Sequence, residues 1–514
     1  MCKLRSLQFE GFVQTMGSTS GVDKRSRAES FFGKDPKITR KLNKEPILSR
    51  TYLIIAFSFS ALLFGFLKLY FGQLTVPFLW LFAGLLVVIL FFTALSYAMK
   101  RWAFLPTKEF LIRIFMCSLL LRLISMVFLY FIFLNLTGTP FYIQYADEYN
   151  YHNFAIDIAN AWKSGDLQVT RYIPWGFSYL GYPVFCGLLY LLFGYSTIVA
   201  RIANCIINSF SVILTYKVSK LIWGERISRV ASIIAMLFPW MIFYSALQLK
   251  DAVLTFLVLF AIYVLLKLGL GRRMKFWELL LAAITVTIMF TFRTVVGIIA
   301  IISTLSYLLF SKSIRINLFK FILGIGLVLG SLLLLVQIGG KEAALNRLVG
   351  GYNLADYRAS KWATAGSGLS QVASLGLFAV LSLPAPFPTV VDLPVDSSSS
   401  FPRPEYYQIG TTLTWNIFSF FALIGIYLSI RYRLRESLPL WIFSLLYLFT
   451  LAQSNFIMDE RFKLVISPFL IIFIAVGLSE KFRNKTKWWG VYLFFIALVI
   501  FGWNYYRLAG RGLL

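Results

Sequence analysis

The chain has 514 residues, of which 59% are hydrophobic, 18% aromatic and only 14% charged, and its mean hydropathy is +0.76. Soluble domains are about half apolar and about a quarter charged, so this composition excludes a water-facing globular enzyme, a disulfide-stapled secreted module and a disordered scaffold. Lysine and arginine number 49 against 22 acidic residues, a net charge of +27; in a chain of long apolar runs that excess belongs with cytosolic loops, anionic headgroups and phosphates, not with nucleic acid.

Residues 1–50 read as a basic cytosolic tail held near anionic lipid, with Lys24, Arg25, Arg27, Lys37, Arg40, Lys41 and Lys44. The apolar run that follows is too long for a signal peptide. A span needs about 20 apolar residues. Runs of that kind predict crossings near 51–72, 77–98, 111–136, 198–220, 228–246, 250–268, 277–292, 294–310, 316–337, 411–430, 438–453, 464–478 and 488–505. The apolar stretch 179–193 is short and reads either as a span or as a membrane-dipping helix. With the tail in the cytosol and 179–193 not crossing, nearly every cytosolic loop is rich in Lys or Arg, and the long loops 137–178 and 338–410 fall outside. This positive-inside pattern selects thirteen spans.

The expected organisation is therefore all-α and polytopic. A tail (1–50) and N-terminal spans (51–136) precede an outer loop with an acidic motif and a short dipping helix (137–197). A transmembrane core (198–337), a large outer loop (338–410) and C-terminal spans (411–514) follow. The apolar patch 372–391 of the large loop is expected to form short helices lying on the outer surface. Cys117, Cys186 and Cys205 lie in or beside apolar segments without metal-ligand spacing and read as small hydrophobes. The single histidine excludes a His-rich metal site. No phosphate-binding Gly-rich loop, Walker lysine motif or dinucleotide fingerprint is present.

Scarce acids and stray cations gather at the predicted outer face. Asp147 and Glu148 are adjacent in an aromatic setting. They read either as a general base with an orienting or cation-binding partner, or as solvated acids of an interfacial loop. Tyr151 can stack on a sugar. His152 shares a helix face with Glu148 and suits a structural or hydrogen-bonding role. Arg171, the Pro174-Trp175-Gly176 break, Tyr179 and Tyr182 read either as interfacial anchors or as an acceptor platform. Lys250 and Asp251 start the next span, where an aspartate favours any helix N-terminus or forms a second polar wall. Arg293 stands between two apolar runs, and Arg461 follows Asp459 and Glu460. Charges pressed against spans are costly unless paired or wetted. These arginines therefore read either as phosphate ligands or as snorkelling partners of Asp459 and Glu460.

Taken together these residues resemble the GT-C superfamily of polytopic glycosyltransferases. They are most similar to the bacterial members related to protein O-mannosyltransferases and to the aminoarabinose transferase acting on lipid A. The resemblance rests on Asp147-Glu148, Tyr151 and Ala155–Ala159, Tyr182-Pro183 and Leu189–Gly194. It continues through Ala200-Arg201 with Asn204, Lys220–Gly224, Phe238-Pro239, Glu460-Arg461-Phe462 and Pro468. It covers roughly 140–310, with a weaker echo at 411–478. The chain departs from the pattern in having three spans before the acidic loop, where members usually have one, and it lacks an obvious C-terminal soluble domain.

The resemblance implies a GT-C fold in a bacterial plasma membrane with an outward-facing site. It implies an inverting transfer of sugar from a polyprenyl-phosphate donor to a lipid, glycan or protein acceptor. Asp147 would activate the acceptor hydroxyl with Glu148 beside it. Arg461, Arg293 and Lys250 would hold the donor phosphate, and Tyr151, His152, Arg171, Tyr182 and Asp251 would line the substrates. A divalent metal is left open. Two other functions fit a polytopic basic chain: a polysaccharide polymerase or ligase, and a transporter or flippase for a lipid-linked oligosaccharide. Charges gathered at one face, and an acidic pair in the first long outer loop, favour the transferase.

Overall fold

An α-helix satisfies its own backbone hydrogen bonds, which makes it the natural form for apolar runs that must lie in lipid. A computed structural model of the chain describes residues 50–142, 146–173, 177–272, 275–310, 382–392, 405–453, 460–480 and 484–509. The basic tail, the span predicted at 316–337, most of the loop 338–410, Pro174-Trp175-Gly176 and Asp459 lie outside the described residues.

The helices in chain order are α1 (Arg50–Phe71), α2 (Phe78–Trp102), α3 (Thr107–Thr137), α4 (Ala146–Lys163), α5 (Gly181–Phe193), α6 (Thr197–Trp223), α7 (Glu225–Leu237) and α8 (Pro239–Ser245). They continue with α9 (Lys250–Gly269), α10 (Phe276–Phe292), α11 (Thr294–Phe310), α12 (Glu405–Gln453), α13 (Glu460–Lys463), α14 (Ser467–Ser479) and α15 (Lys485–Ala509). Apart from three short 3₁₀ turns, the described residues contain a single isolated β-bridge, Thr75 to Val391. The chain is an all-helical polytopic membrane protein.

Seven described helices are long and apolar enough to cross a membrane, and eight if the bent pair α7–α8 counts as one span. The sequence predicts thirteen, a number the described residues leave open: the span at 316–337 lies outside them, and three features account for the rest of the difference. First, α10, α11 and α14 are apolar but only 13 to 17 residues long; at about 1.5 Å per residue they fall short of a hydrocarbon core of about 30 Å. Second, the run 228–246 breaks at Phe238-Pro239, bent by 54°. Proline lacks an N–H and pushes the residue before it into an extended conformation, and Phe238 is extended accordingly. Third, 411–430 and 438–453 merge into α12, interrupted at Arg433. Trp441 Nε1 donates to Ser429 Oγ at 3.1 Å, whereas twelve residues of straight helix would separate them by about 18 Å. The chain therefore doubles back there.

The core is built on α6, α7, α9, α12 and α14, whose faces are buried against one another. Glycines set the closest crossing. A Cβ on Gly425 would meet the Phe473 carbonyl oxygen at 1.8 Å, and one on Gly477 would meet that of Phe421 at 2.0 Å. Only missing side chains let α12 and α14 pack backbone to backbone.

Two features position the site. The helix α4 packs on α5 through Ile158, Phe154 and Val184, closed by Ile173 and Leu180. The second is the end of the large loop. Its described stretch, 382–391, is buried and non-helical, so this half of the patch expected as helices on the outer surface enters the bundle instead, while 372–381 lie outside the described residues. Pro384, Pro386 and Pro388 deny it a helix, and side chains satisfy its carbonyls. Trp415 Nε1 donates to Leu383 O at 2.8 Å, Asn504 Nδ2 to Pro388 O at 3.0 Å, and Lys463 Nζ to the carbonyls of Ser382 and Ala385. Val76 N donates to Val390 O at 2.9 Å, tying the α1–α2 turn to the same segment.

Candidate active site

Polar groups from five elements meet at one end of the bundle. Asp147 lies in the first turn of α4, Asp251 in the first turn of α9 and Arg293 in the break between α10 and α11. Arg461 stands on α13, and Tyr447 lies near the end of α12. Arg461 is the hub: its Nη1 donates to Asp147 Oδ2 at 2.8 Å and its Nε to Asp251 Oδ2 at 2.7 Å. The other oxygen of Asp251 accepts from Arg293 Nη2 at 3.1 Å. Arg293 Nη1 donates to Tyr447 Oη at 2.8 Å, and Tyr447 Oη donates to Phe462 O at 2.9 Å. The Arg293 guanidinium also lies 4.7 Å from the centre of the Phe462 ring. The arginines predicted to snorkel or hold phosphate are thus paired with Asp147 and Asp251.

Lys250 is buried, with its ammonium 3.8 Å from the centre of the Tyr179 ring and 6.0 Å from that of Tyr151. That is a cation–π seat. Among the described residues, Lys250, Arg293 and Arg461 thus stand around the two carboxylates Asp147 and Asp251. Asp251 is fully buried, whereas the Asp147 side chain is 35% exposed. Asp147 is therefore the carboxylate of this cluster that a substrate can reach. Tyr151 stacks edge-on against Tyr182, ring centres 5.1 Å apart. Burial, and then the Asp147 charge, keep the Tyr151 phenol protonated well above its usual range.

The neighbour Glu148 faces another way. It is fully buried, and Oε1 accepts from Arg201 Nε at 3.0 Å, Arg201 Nη2 at 2.8 Å and Gln248 N at 2.6 Å, while Oε2 accepts from Tyr142 N at 2.8 Å. This carboxylate joins the end of the α3–α4 loop, α6 and the α8–α9 turn. His152 Nδ1 lies 2.7 Å from Tyr190 Oη, to which Gln248 Nε2 also donates at 3.0 Å. Burial holds the His152 imidazole below its ordinary pKa, against the pull of Glu148. Asn204 Nδ2 donates to Tyr182 Oη at 2.9 Å and to the carbonyls of Leu247 and Leu249 at 2.7 and 3.0 Å. It thereby fixes the turn that delivers Lys250 and Asp251.

The structure thus brings together Asp147, Tyr151, Tyr182, Lys250, Asp251, Arg293 and Arg461. Glu148 and His152 belong to an adjoining buried network. Arg171 is exposed on a 3₁₀ turn, and no described side chain of the cluster bonds to it. Among the described residues no three His, Cys, Asp or Glu side chains converge as metal ligands.

Sequence reasoning assigned no role to Arg201 beyond the resemblance and none to Arg122. Arg122 is fully buried within the span α3. It donates to Asn208 Oδ1 at 3.1 Å, to Ser118 Oγ at 2.6 Å, and to the carbonyls of Met236 and Ala235 at 3.4 and 3.5 Å. A cation at the broken C-terminus of α7 meets the negative end of that helix. An arginine inside an apolar run was the available signal. Its partners Asn208, Ala235 and Met236, 86 to 114 residues away, were not.

Comparison with known proteins adds a partial match. Residues 180–338 fit the model of a family described as dolichyl-phosphate-mannose-protein mannosyltransferase. The match takes in Tyr182, Arg201, Lys250, Asp251 and Arg293, and leaves Asp147, Glu148 and Arg461 outside it. No curated protein matches the chain. Among solved structures, the oligosaccharyltransferase AglB from Archaeoglobus fulgidus, in complex with an inhibitory peptide and a dolichol-phosphate, is 13% identical with a TM-score of 0.42, over 79% of this chain and 56% of that one. The apo form of the Archaeoglobus fulgidus oligosaccharyltransferase gives 13% identity and a TM-score of 0.41, over 77% and 55%. The form tethered to an acceptor peptide gives 14% and 0.40, over 79% and 55%. The chain spans a little over half the length of these archaeal proteins.

Proposed function

We propose that this chain is a GT-C-type glycosyltransferase that moves a sugar from a polyprenyl-phosphate donor to an acceptor hydroxyl at the outer face of a bacterial plasma membrane. The observation that carries the reading is the partly exposed Asp147 carboxylate held by Arg461, beside Arg293 and the buried Asp251 and Lys250. The partial match of 180–338 to a mannosyltransferase family, which takes in Lys250, Asp251 and Arg293, supports it.

In the step proposed, Asp147 accepts the proton of the acceptor hydroxyl. The oxygen attacks the anomeric carbon, the new C–O bond forms, and the bond to the phosphate oxygen breaks with its electron pair. Polyprenyl phosphate leaves and the configuration inverts, since a single displacement needs one carboxylate. Lys250, Arg293 and Arg461 stabilise the charge that grows on the departing phosphate, the term that usually contributes most to such catalysis. Asp251 holds the two guanidiniums apart in register. Glu148, with all its bonds to buried groups, acts by positioning α4, and Tyr151 and Tyr182 line the sugar.

The test is transfer by the purified chain from a panel of polyprenyl-phosphate hexoses, with binding of polyprenyl phosphate measured separately. Asp147→Asn is expected to lose transfer by at least about 10²-fold, the usual worth of a general base, while binding polyprenyl phosphate as the parent does. Arg461→Ala is expected to weaken that binding. Near-parental transfer by Asp147→Asn would overturn the assigned base.

A further inference from the structure

A one-turn helix carries the hub of the candidate site. Only four residues make α13 (Glu460–Lys463), far fewer than the roughly 12 at which a helix by itself becomes marginal, so its place depends on what its side chains hold. Glu460, Arg461 and Lys463 are all buried, and each goes to a different partner. The Glu460 carboxylate meets the hydroxyls of Thr411, at 3.3 Å, and Thr412 near the start of α12. Arg461 goes to Asp147 and Asp251. The Lys463 amino group donates to the carbonyls of Ser382 and Ala385, in the buried end of the large loop.

Two residues apart on a helix, Arg461 and Lys463 point about 200° apart. The helix α13 is therefore a bridge, with the site on one side and the segment 382–391 on the other. A buried amino group must be bonded, and Lys463 takes its partners from that segment. The segment is in turn anchored from other elements. Asn416 Nδ2 donates to Pro386 O at 2.9 Å, Trp415 Nε1 to Ala385 O at 3.0 Å, and Asn504 Oδ1 accepts from Val390 N at 2.8 Å. Ala385 O thus receives donors from both α12 and α13. Lys463 bonds neither Asp147 nor Asp251, so its route to the site runs through α13 and Arg461.

We propose that Lys463 is a positioning residue: by tying α13 to the segment 382–391 it sets where the Arg461 guanidinium stands between Asp147 and Asp251, and so makes the hold on the donor phosphate depend on the end of the large loop. That Arg461 holds a donor phosphate rests on the transferase reading above; the placement of Arg461 by Lys463 rests on the contacts alone. Without its amino group, α13 loses its tie on the side away from the site, and the guanidinium is free to leave the line between the two carboxylates.

The experiment uses the full purified chain, with polyprenyl phosphate as the binding probe and a polyprenyl-phosphate hexose as the donor. Lys463→Met is expected to weaken polyprenyl phosphate binding about tenfold in the parent but less than about twofold beside Arg461→Ala, the non-additivity of residues that act through one another. The KM for the donor is expected to rise with it, whereas loss of folded protein alone lowers kcat and leaves KM unchanged. Equal losses in the two backgrounds, or a lowered kcat at an unchanged KM, would overturn the positioning role. Asn416→Leu frees Pro386 O from α12 without touching α13; it is expected to shift binding and KM in the same direction by a smaller factor, and keeps the test standing if Lys463→Met fails to fold. Electron cryomicroscopy of the folded variants gives a readout that needs no substrate. Arg461 still bonded to both Asp147 and Asp251 would overturn the proposal. Arg461 displaced, in a chain whose parent neither binds polyprenyl phosphate nor transfers sugar, would overturn the transferase reading and leave the positioning role standing.

Discussion

The pairing of Glu148 with Arg201 offers the sharpest separation of positioning from chemistry. Both side chains are fully buried, and two guanidinium nitrogens meet Oε1 at 2.8 and 3.0 Å. Arg201→Met removes the cation and leaves a buried carboxylate with only the N–H groups of Tyr142 and Gln248. Breaking a buried pair from one side costs about 3–5 kcal/mol, because an uncompensated charge remains. Glu148→Leu strands the guanidinium in the same way and is expected to cost a similar amount. The double variant strands no charge, and its cost is expected to fall well below the sum of the two. The assay is reversible unfolding of the four proteins in mixed micelles, read as a double-mutant cycle. Additive losses would refute the pairing argument. Transfer activity adds a second readout. If Glu148 only positions α4, the double variant recovers a share of the activity that the single variants lose. A stable double variant with no transfer, beside active single variants, would refute the positioning role.

Three further outcomes follow from the geometry. Arg122→Leu leaves Asn208 Oδ1 and the α7 carbonyls without their donor and is expected to cost about 2 kcal/mol or more, read in the same micelle unfolding assay; a neutral result would refute the capping role. Gly425→Ala places a Cβ against the Phe473 carbonyl and is expected to cost about 1–3 kcal/mol as α12 and α14 separate, with unchanged stability as the refuting result. The chain's single histidine gives one ring signal in a proton NMR titration. Burial lowers the His152 pKa in the folded chain, so the unfolded chain binds the proton more readily and stability falls as pH drops below about 6.5. His152→Gln is expected to flatten that fall, and a ring signal titrating at or above 6.5 in the folded protein would refute the burial argument.

Much of this protein was legible in its composition and spacing. The apolar runs determined that the chain is helical and polytopic, because backbone groups in lipid must bond within their own segment. The scarcity of acids made Asp147, Asp251 and the stray Lys250, Arg293 and Arg461 stand out. Periodicity could not say which of those charges face one another, since the bond from Arg461 to Asp147 spans 314 residues. Nor could it tell the adjacent carboxylates apart: Asp147 reaches Arg461 and Glu148 reaches Arg201 because neighbours on a helix point about 100° apart.

The span count needed more than hydropathy for a related reason. Hydropathy measures what a run buries, not whether it stays straight, and Phe238-Pro239 bends a run that looks continuous. The segment 382–391, expected in helices on the outer surface, is buried instead because donors from Trp415, Asn416, Lys463 and Asn504 satisfy its carbonyls. Composition and spacing alone were enough for the membrane body and the cast of charges. The pairings of those charges come from the packed fold, because they arise where distant helix ends lie side by side.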